Sequence, residues 1–421
     1  MLSIGVPRET TPGETRVALV PQAVAPLLKA GLSVQVQAGA GVLSGATDEA
    51  YVAAGATIVD ARAAFGSDVV LKVREPRWNE DAAVHEADLL RDGAVLIALL
   101  GGRTPQSLER LAAHRVTAFA LEALPRITRA QSMDVMSSMS TVAGYRAVLL
   151  AAEKLPRFFP LLMTAAGTIP PARVFVIGAG VAGLQAIATA RRLGAVVEAF
   201  DVRPAVREEV QSLGATFIAA DVADAAHAGA GGYAKELNSS DEQRERDRLT
   251  KHVQSADVVI TTAVVPGKRA PLLITTAMVQ GMRPGSVIVD MAAESGGNCE
   301  LTRAGTEVQA HGVTIVGPVN LAAGLAVHAS QMFARNVSTL VLHLTKNGAL
   351  ALDFDDEITR TTCVLRDGRA AGAPAPTNGP AANGPTVAGA AAAPSATGAT
   401  GSTGGPALGP GDPASGEALR R

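Results

Sequence analysis

The stretch RVFVIGAGVAG, residues 173–183, decides the fold of this chain. Its first five residues have the composition of a strand, the glycine pattern G-x-G-x-x-G follows, and residues 184–193 continue as a helix. This order binds the pyrophosphate of a dinucleotide, whose charge faces the free N–H groups at the helix start. Gly178 permits the tight turn, Gly180 lets the backbone approach the phosphates, and Gly183 allows close packing of helix on strand. The predicted cofactor-binding residues of this turn are Gly178, Gly180, Val181 and Gly183.

An acidic residue closes the next predicted strand. Asp201 lies 21 residues beyond Gly180, where its carboxylate can accept hydrogen bonds from the adenine-side ribose, a charged contact of about 1.5–3 kcal/mol. A 2′-phosphate there would meet like charge, so Asp201 favours NAD over NADP. Arg203 is the opposing signal, because an arginine nearby can accommodate that phosphate. The structural alternative is a glycine turn in an α/β fold that binds no nucleotide.

Short β-branched strands alternate with Ala/Leu-rich helical stretches along most of the chain, which is typical of parallel α/β sheets. The first series of predicted strands is 3–6, 33–37, 57–59, 69–72, 95–99 and 116–120, with helices such as 21–30 and 105–114 between them. The second series is 173–177, 196–201, 216–218, 258–262, 287–290 and 313–316.

Two longer helical stretches connect these series. Residues 141–155 lie between them, and residues 325–344 follow the last strand and would return the chain to the first domain. There, residues 350–354 and 362–365 could add a hairpin.

The sequence therefore predicts an α/β protein of two Rossmann-like, doubly wound parallel-sheet domains joined by long helices. A chain of 421 residues exceeds the size of one hydrophobic core, about 250–300 residues. The first domain is predicted to contain residues 1–137 and 324–369, and the NAD(H)-binding domain residues 138–323. Residues 370–421 are mostly Ala, Gly, Pro, Ser and Thr, so we predict a disordered, low-complexity tail.

Composition argues against several classes of function. A net charge of −2 gives no electrostatic reason to expect nucleic acid as a partner, and 3% aromatic residues argues against base stacking. The longest apolar runs, such as residues 94–100, are far below the roughly 18–20 residues that span a bilayer. The N-terminus has no secretion signal, so we expect a cytoplasmic protein without direct membrane insertion. Two cysteines and seven unclustered histidines predict no metal site.

A second group of polar residues lies in PRITRAQSMDVMSS, residues 125–138. It combines two arginines, a glutamine, an aspartate and several hydroxyls at the joint between the first domain and the connecting helix. Ligands of such folds bind in the interdomain cleft. From composition alone, a capped helix start in a solvated loop is an equal alternative.

Residues 1 to about 369 resemble the NAD(H)-binding component, or domain I, of the alpha subunit of proton-translocating NAD(P) transhydrogenases. The matching stretches are 5–9, 125–138, 143–146, 164–171, 178–183, 201–203, 231–236, 261–263, 266–268 and 296–299. The arginine–glutamine–aspartate loop in residues 125–138 and GGYAKE in residues 231–236 are specific to that family.

The resemblance implies direct hydride transfer from NADH on this component to NADP⁺ on a neighbouring one, coupled to proton passage through a membrane component. It implies that four catalytic residues surround the nicotinamide: Arg126, Gln131, Asp134 and Ser137. Ser132 and Met133 belong to the same cofactor-binding loop. Gln131 would face the ribose of the partner's NADP(H) and bring the two rings together.

The resemblance also implies the other nucleotide contacts. Asp201, Val202 and Arg203 would hold the adenosine ribose, and Val264 would follow the strand beneath a ribose. Gly232 and Tyr233 would lie on a mobile loop that closes over the nucleotide. Two departures stand out: Glu245 replaces the glutamine expected in a nucleotide-contacting loop, and residues 317–325 read GPVNLAAGL without the expected proline–serine/glycine–arginine run.

This assignment agrees with the chemistry. Hydride transfer between two nicotinamides needs no acid, base or metal from the protein, because the cofactors carry the reaction. Alignment of the two rings can contribute about 7–11 kcal/mol. The expected partners are a second copy in a homodimer and the membrane-embedded alpha-2 and beta subunits of the split form, the latter holding NADP(H). The chain would then be attached peripherally to the membrane.

Alanine dehydrogenase is the nearest alternative. Arg16 and Lys72 match residues that hold and polarise the oxo acid in that family, and Glu294 lies near its second-domain acid. That family also needs a catalytic histidine just beyond the strand 95–99, where this chain has Leu100–Gly101–Gly102. Leucine cannot transfer a proton.

A third class is a non-catalytic NAD sensor or adaptor that uses the tail for interactions. The intact polar loop of residues 126–137 argues against it, because a sensor would not require that loop.

Overall fold

The computed structural model describes residues 1–101, 105–219, 239–265 and 268–371, which form two large open β-sheets, three two-stranded sheets and the helices that connect them. The strands of the N-terminal part are β1 (Ser3–Val6), β2 (Ser33–Gln37), β3 (Thr57–Val59), β4 (Val69–Leu71), β5 (Trp78–Asn79), β6 (Val84–His85), β7 (Val95–Ala98) and β8 (Thr117–Ala120). The strands that follow are β9 (Leu162–Thr164), β10 (Gly167–Ile169), β11 (Arg173–Ile177), β12 (Val196–Asp201), β13 (Thr216–Ala219), β14 (Val258–Thr261), β15 (Val287–Asp290), β16 (Glu307–Ala310), β17 (Val313–Val316), β18 (Thr345–Lys346), β19 (Ala349–Leu350), β20 (Cys363–Arg366) and β21 (Arg369–Ala370).

Helices connect most of these strands. They are α1 (Val24–Lys29), α2 (Asp48–Ala53), α3 (Ala61–Phe65), α4 (Pro105–Ala113), α5 (Val135–Lys154), α6 (Val181–Arg192), α7 (Arg207–Ser212), α8 (Ser239–Ser255), α9 (Thr276–Gln280), α10 (Ala326–His343) and α11 (Glu357–Thr362). Short 3₁₀ helices lie between them, among them Thr128–Met133 and Leu321–Leu325.

The strand order of both sheets follows the Rossmann pattern. The first sheet has the order β21-β20-β8-β7-β4-β1-β2-β3, and the second has β13-β12-β11-β14-β15-β17-β16. Pairing is parallel except for β20 and β21 in the first sheet and β16 in the second. Chain order reverses between β1 and β4 and between β11 and β14, and such switch points open the crevices where α/β proteins bind ligands.

Alternating apolar residues cover both faces of each sheet. In β11, Val174 and Val176 pack into one core, whereas Phe175 and Ile177 pack into the core on the other face. Strands β4, β7, β14 and β15 are buried over their whole length, as expected for parallel strands covered on both sides. The prediction of a two-sheet, doubly wound α/β fold is confirmed.

Helices α5 and α10 connect the two halves. Helix α5 packs against α6 and α10, and it contributes residues to the cores of both halves, such as Val142 to the first and Val148 to the second. Among the described residues, α5 is the one helix with the length and apolar composition to cross a membrane. Burial of its apolar residues in two cores accounts for that composition. Helix α10 returns the chain to the first core, as predicted.

Several local predictions need correction. Helix α5 begins at Val135 instead of residue 141, because Asp134 caps it by accepting a hydrogen bond from Ser137 N at 2.9 Å. The predicted hairpin between residues 350–354 and 362–365 is wrong. Asn347 and Gly348, both at positive φ, instead close a two-residue turn between β18 and β19, while β20 joins the edge of the first sheet.

Met1–Ala373 forms one compact unit that contains both sheets. The domain boundaries 1–137 with 324–369, and 138–323, therefore stay a prediction. Nearly all of the predicted tail lies outside the described residues.

Candidate functional site

The glycine turn after β11 has the close contacts that its sequence pattern requires. Gly178 has a φ of +97°, which favours glycine. A Cβ atom on Gly183 would lie 1.8 Å from the carbonyl oxygen of Gly178, so helix α6 and the turn are in direct backbone contact. The nearest atom to a Cβ on Gly180 would instead be Arg203 Nη2, 3.9 Å away. The open side of the turn is therefore at Gly180, the first residue before α6.

Asp201 ends β12 beside this turn and is almost fully buried. Its Oδ2 accepts hydrogen bonds from Ala179 N at 2.7 Å and Arg203 Nη2 at 2.9 Å. Its Oδ1 accepts from Arg203 N at 2.8 Å and Arg203 Nε at 2.9 Å. The hydrogen bond to Asp201 raises the pKa of Arg203 above its ordinary value. A carboxylate offers about four acceptor positions, and all four are used in this arrangement.

This geometry adds a step to the predicted role of Asp201. Ribose hydroxyls can reach its carboxylate only after the side chain of Arg203 moves away. Val202 is half-buried next to Asp201, and the side chain of Val264 is exposed just after β14. The structure thus brings Asp201, Val202 and Arg203 to the carboxyl edge of the sheet, beside the glycine turn.

Two buried residues that sequence reasoning did not single out shape the neighbouring loop. Asn298 accepts from Ala263 N at 3.1 Å and donates through Nδ2 to the carbonyl oxygens of Ala263 at 2.9 Å and Pro271 at 2.8 Å. Asp290 Oδ2 in turn accepts from Asn298 N at 2.8 Å. These bonds hold the segment that carries Val264. The available sequence signal was an aspartate closing β15, eight residues before the asparagine of GGNC.

The polar stretch of residues 126–137 forms the 3₁₀ helix Thr128–Met133 and the start of α5. Arg126, Gln131 and Ser132 are exposed, as a ligand-contacting loop requires. Asp134 Oδ2 accepts from Ser137 Oγ at 2.5 Å, so these two side chains lie together at the helix start. Met133 differs, because its side chain packs in the first core. A cofactor contact at Met133 would therefore come from its backbone.

Helices α5 and α6 join this loop to the glycine turn. A Cβ atom on Gly144 of α5 would lie 2.1 Å from the carbonyl oxygen of Ala182 in the first turn of α6. Asp134 precedes Gly144 by ten residues, about 15 Å along the helix. The helix crossing therefore fixes the polar loop relative to the glycine turn.

The prediction that Glu245 lies in a nucleotide-contacting loop needs correction. Glu245 lies inside helix α8 and not in a loop. Its surroundings, residues 241–248, mix acidic and basic residues at helical spacing, which favours a helix. Gly232 and Tyr233 lie outside the described residues.

Arg16, which matches an oxo acid-binding residue of alanine dehydrogenases, forms a buried ion pair with Glu14. Arg16 donates from Nε to Glu14 Oε1 at 2.7 Å and from Nη2 to Glu14 Oε2 at 2.6 Å, and Arg74 Nε adds a bond to Oε2 at 3.0 Å. Burial alone would raise the pKa of Glu14, but the hydrogen bonds and charge of Arg16 lower it to about 2. Glu14 thus takes the bidentate face of Arg16 that a substrate carboxylate would need.

Lys72 also forms buried ion pairs within the protein, with Glu9 and Glu86. Its Nζ lies 3.2 Å from Glu9 Oε2 and 3.2 Å from Glu86 Oε2, and all three side chains are buried. Burial alone would lower the pKa of Lys72, but the two carboxylates outweigh it and raise the pKa. Leu100, where an alanine dehydrogenase needs histidine, is also buried, whereas Glu294 is exposed.

Residues 317–325, which lack the run expected from the family resemblance, contact the Glu14–Arg16 ion pair. Asn320, at a φ of +49°, accepts from Arg16 Nη2 at 3.0 Å and donates through Nδ2 to Glu14 Oε2 at 3.1 Å. Through Asn320, this stretch therefore connects the second half of the chain to the Glu14–Arg16 ion pair of the N-terminal half.

Among the described residues, no three His, Cys, Asp or Glu side chains lie together in an arrangement that could hold a metal ion. Burial also raises the pKa of Cys299 and of Cys363 to about 11, so both thiols stay protonated at neutral pH.

Two models of one protein family match the chain, one over each half. Residues 5–143 match the alanine dehydrogenase/PNT N-terminal domain, and residues 147–372 match the alanine dehydrogenase/PNT C-terminal domain. The chain belongs to the alanine dehydrogenase/PNT family, and within it to the NAD(P) transhydrogenase alpha subunits.

The individual relatives support this placement. The chain is 49% identical over 373 residues to an NAD(P) transhydrogenase alpha subunit of Rhodospirillum rubrum, covering 87% of this chain and 97% of that protein. The crystal structure of transhydrogenase from Sinorhizobium meliloti superposes with a TM-score of 0.78 at 43% identity, over 87% of this chain and 99% of that one. The alanine dehydrogenase of Bacillus subtilis is 31% identical over 85% of this chain and 89% of its own length.

Proposed function

We propose that this chain is the NAD(H)-binding component of an NAD(P) transhydrogenase and that it passes hydride from NADH directly to NADP⁺ on a partner subunit. The observation that carries the proposal is the α5–α6 crossing, which ties the exposed polar loop to the glycine turn. A nucleotide bound at the turn could therefore extend its nicotinamide to a loop of fixed position.

The residues of the turn fit a dinucleotide. The open side at Gly180 would accept the pyrophosphate, and the N-terminus of the three-turn helix α6 provides unpaired N–H groups. Asp201 would accept hydrogen bonds from the adenosine ribose once Arg203 has moved. Its negative charge favours NAD over NADP at this position.

The side chains of the polar loop would align the two nicotinamide rings and would not transfer a proton. The bound cofactors supply the chemistry, which is hydride transfer from one nicotinamide to the other. Arg126, Asp134 and Ser137 would hold the nicotinamide end of NAD(H), and the exposed Gln131 would face the partner's NADP(H). The loop's work is to hold the rings at near-attack distance, which can contribute about 7–11 kcal/mol.

The proposed assembly is a homodimer that docks on the membrane-embedded alpha-2 and beta subunits, which would couple the reaction to proton translocation. The chain would then lie in the cytoplasm at the membrane surface. The β9–β10 hairpin supports the homodimer, because all of its residues are exposed except the half-buried Leu162 and none is charged. The relatives named as transhydrogenase alpha subunits support the membrane partners.

Alanine dehydrogenase activity is the second candidate, and two observations weigh against it. Glu14 occupies the bidentate face of Arg16, and Leu100 replaces the acid–base histidine. Leucine cannot donate the proton that neutralises the charge developing on an imine or carbonyl during its reduction.

The test is to mix the purified chain with an NADP(H)-binding transhydrogenase component and follow hydride exchange between NADH and an NADP⁺ analogue. We expect exchange, and no alanine-dependent reduction of NAD⁺. Gln131→Asn shortens the side chain by one methylene and should slow exchange by about 100-fold, since a misplacement near 1 Å can cost that much. The dissociation constant for NADH should change less than about threefold, because the proposed partner of Gln131 is the other nucleotide.

The outcomes separate the three classes. Exchange with a Gln131 dependence supports the proposal. Tight NADH binding without exchange would favour a sensor, and alanine-dependent NAD⁺ reduction would favour the dehydrogenase.

A further inference from the structure

The polar loop is held in place by residues that lie far from it in sequence. Within the 3₁₀ helix Thr128–Met133, Ala130 and Met133 pack in the first core, while Gln131 and Ser132 remain exposed. Helix α10 packs directly against this 3₁₀ helix. Two polar contacts add to this packing, and both come from the returning C-terminal segment.

The first contact comes from Asn336 in α10. Its Nδ2 donates to the carbonyl oxygen of Ser132 at 2.8 Å, 204 residues away in sequence. Asn336 is 8% exposed on a helix that otherwise buries apolar residues such as Phe333 and Val337 against the core. Its Oδ1 is buried and has no hydrogen-bond partner among the described residues. Burying an amide in that environment costs free energy. The hydrogen bond to Ser132 is the one favourable polar contact that the described residues give the Asn336 side chain, so we attribute a positioning role to it.

The second contact comes from Asp356. Its Oδ2 accepts from Arg129 Nη2 at 2.8 Å, and its Oδ1 caps α11 by accepting from Ile358 N at 2.9 Å. His343 Nε2 lies 3.1 Å from the same Oδ1. The hydrogen bond from Arg129 lowers the pKa of Asp356 to about 2. Asp356 is therefore ionised at neutral pH and pairs with the charged arginine.

The two contacts flank one residue. Arg129 lies two positions before Gln131 and Ser132 one position after it. We infer that Asn336 and Asp356 are positioning residues, which hold the backbone on both sides of Gln131 so that its side chain meets the second nucleotide at a fixed distance. This inference rests on the proposed function, and it assigns the returning segment a role in the transfer step as well as in folding.

The test uses two variants that break the contacts from different sides. Asn336→Leu keeps the volume but removes the donor to Ser132. Arg129→Met removes the ion pair while leaving Asp356 free to cap α11, and the Arg129 side chain is 63% exposed, so its loss should cost little stability. Both should slow hydride exchange by about tenfold or more, with less than about a threefold change in NADH affinity. Ser338→Ala is the matched control: Ser338 is buried on the same helix, but its Oγ donates within α10 to Arg335 O.

A double-mutant cycle with Gln131→Asn decides whether the effect passes through Gln131. If it does, Asn336→Leu should slow the wild-type chain but add less than about twofold in the Gln131→Asn background. Full additivity, or wild-type exchange rates in both single variants, overturns the inference. If Asn336→Leu does not fold, the same cycle with Arg129→Met tests the inference. Absence of exchange in the wild-type chain would instead refute the proposed function.

Discussion

The side chain of Asp201 is fully hydrogen-bonded before any nucleotide is considered. Arg203 takes three of its contacts and Ala179 N the fourth. Nucleotide affinity at this residue is therefore a difference between two sets of charged hydrogen bonds. In the proposed complex a 2′-phosphate would meet the negative charge of Asp201, and Arg203 would have to leave its ion pair with Asp201 before it could receive that phosphate.

Asp201→Asn tests this balance. The amide keeps the size but loses the charge, so the NADH dissociation constant should rise by up to about 10- to 100-fold, the equivalent of about 1.5–3 kcal/mol. The weaker contact of the amide with Arg203, which NADH has to displace, offsets part of this rise. The preference for NADH over NADPH should narrow, because Arg203 is released. Titration with each nucleotide measures both quantities.

Glu198→Gln is the control for this change, since Glu198 lies on the same strand but binds Arg173 and His252. Unchanged NADH affinity in Asp201→Asn would contradict the assigned role.

Residues differ in how far the sequence revealed them. Gly178, Gly183 and Asp201 could be predicted because the glycine turn imposes local spacing. The Glu14–Arg16 pair was not predicted, although its members are two residues apart, because a neutralised arginine and a substrate-binding arginine look identical in sequence. Asn336 and Asp356 were not recognisable either, since each meets the polar loop only through a fold that brings together residues more than 200 positions apart.

Among the elements, the α5–α6 crossing determines the site most directly. Gly144→Ala should lower the free energy of unfolding by about 1–3 kcal/mol, because the added methyl meets the carbonyl of Ala182 and the backbone must shift. NADH affinity should fall as well, since the shift moves the first turn of α6. Thermal or chemical denaturation and nucleotide titration check the two effects.

Gly101→Ala provides the comparison, because among the described residues the nearest atom to a Cβ there would be Glu122 Oε1 at 3.9 Å. Equal stability of both variants would show that the crossing is looser than its geometry indicates.

Element prediction worked where periodicity was strong. Strands such as Ser33–Gln37 and Val196–Asp201 match their predicted bounds, since the first alternates valine with polar residues and the second is rich in valine, alanine and phenylalanine. The antiparallel edge strand β16 and the hairpins β5–β6 and β9–β10 were not predicted. Short strands such as Thr57–Val59 and Val287–Asp290 were predicted from three consecutive β-branched residues. The strands β5, β6, β9, β10 and β16 lack such a run, and their pairing depends on neighbours that the sequence alone does not identify.

At the scale of the whole molecule, the β9–β10 hairpin presents an exposed apolar surface among the described residues. Residues 158–172 contain no charged side chain, and Met163, Phe158 and Leu161 are 79%, 55% and 53% exposed. An isolated two-stranded hairpin is marginally stable in water, and an exposed apolar surface favours association. Both considerations agree with the proposed homodimer.

Met163→Asp should therefore shift the chain from dimer to monomer at micromolar concentration, because it would bury a charge in the interface. Sedimentation velocity measures the shift. Val52→Asp, which adds a charge at an exposed valine on α2, should leave the dimer intact. A wild-type monomer, or a Met163→Asp dimer of unchanged stability, would refute the role of the hairpin.

The position of β20 affects how the polypeptide acquires its shape during translation. All strands of the second sheet come from residues 173–316, whereas the first sheet begins at residue 3 and is completed only by residues 363–370. A ribosome therefore releases every strand of the later sheet before it releases the last strands of the earlier one. Domains commonly fold in the order of synthesis. In this protein the N-terminal sheet can gain its last two strands only after residues 363–370 have emerged, and the edge of β8 stays uncovered until then.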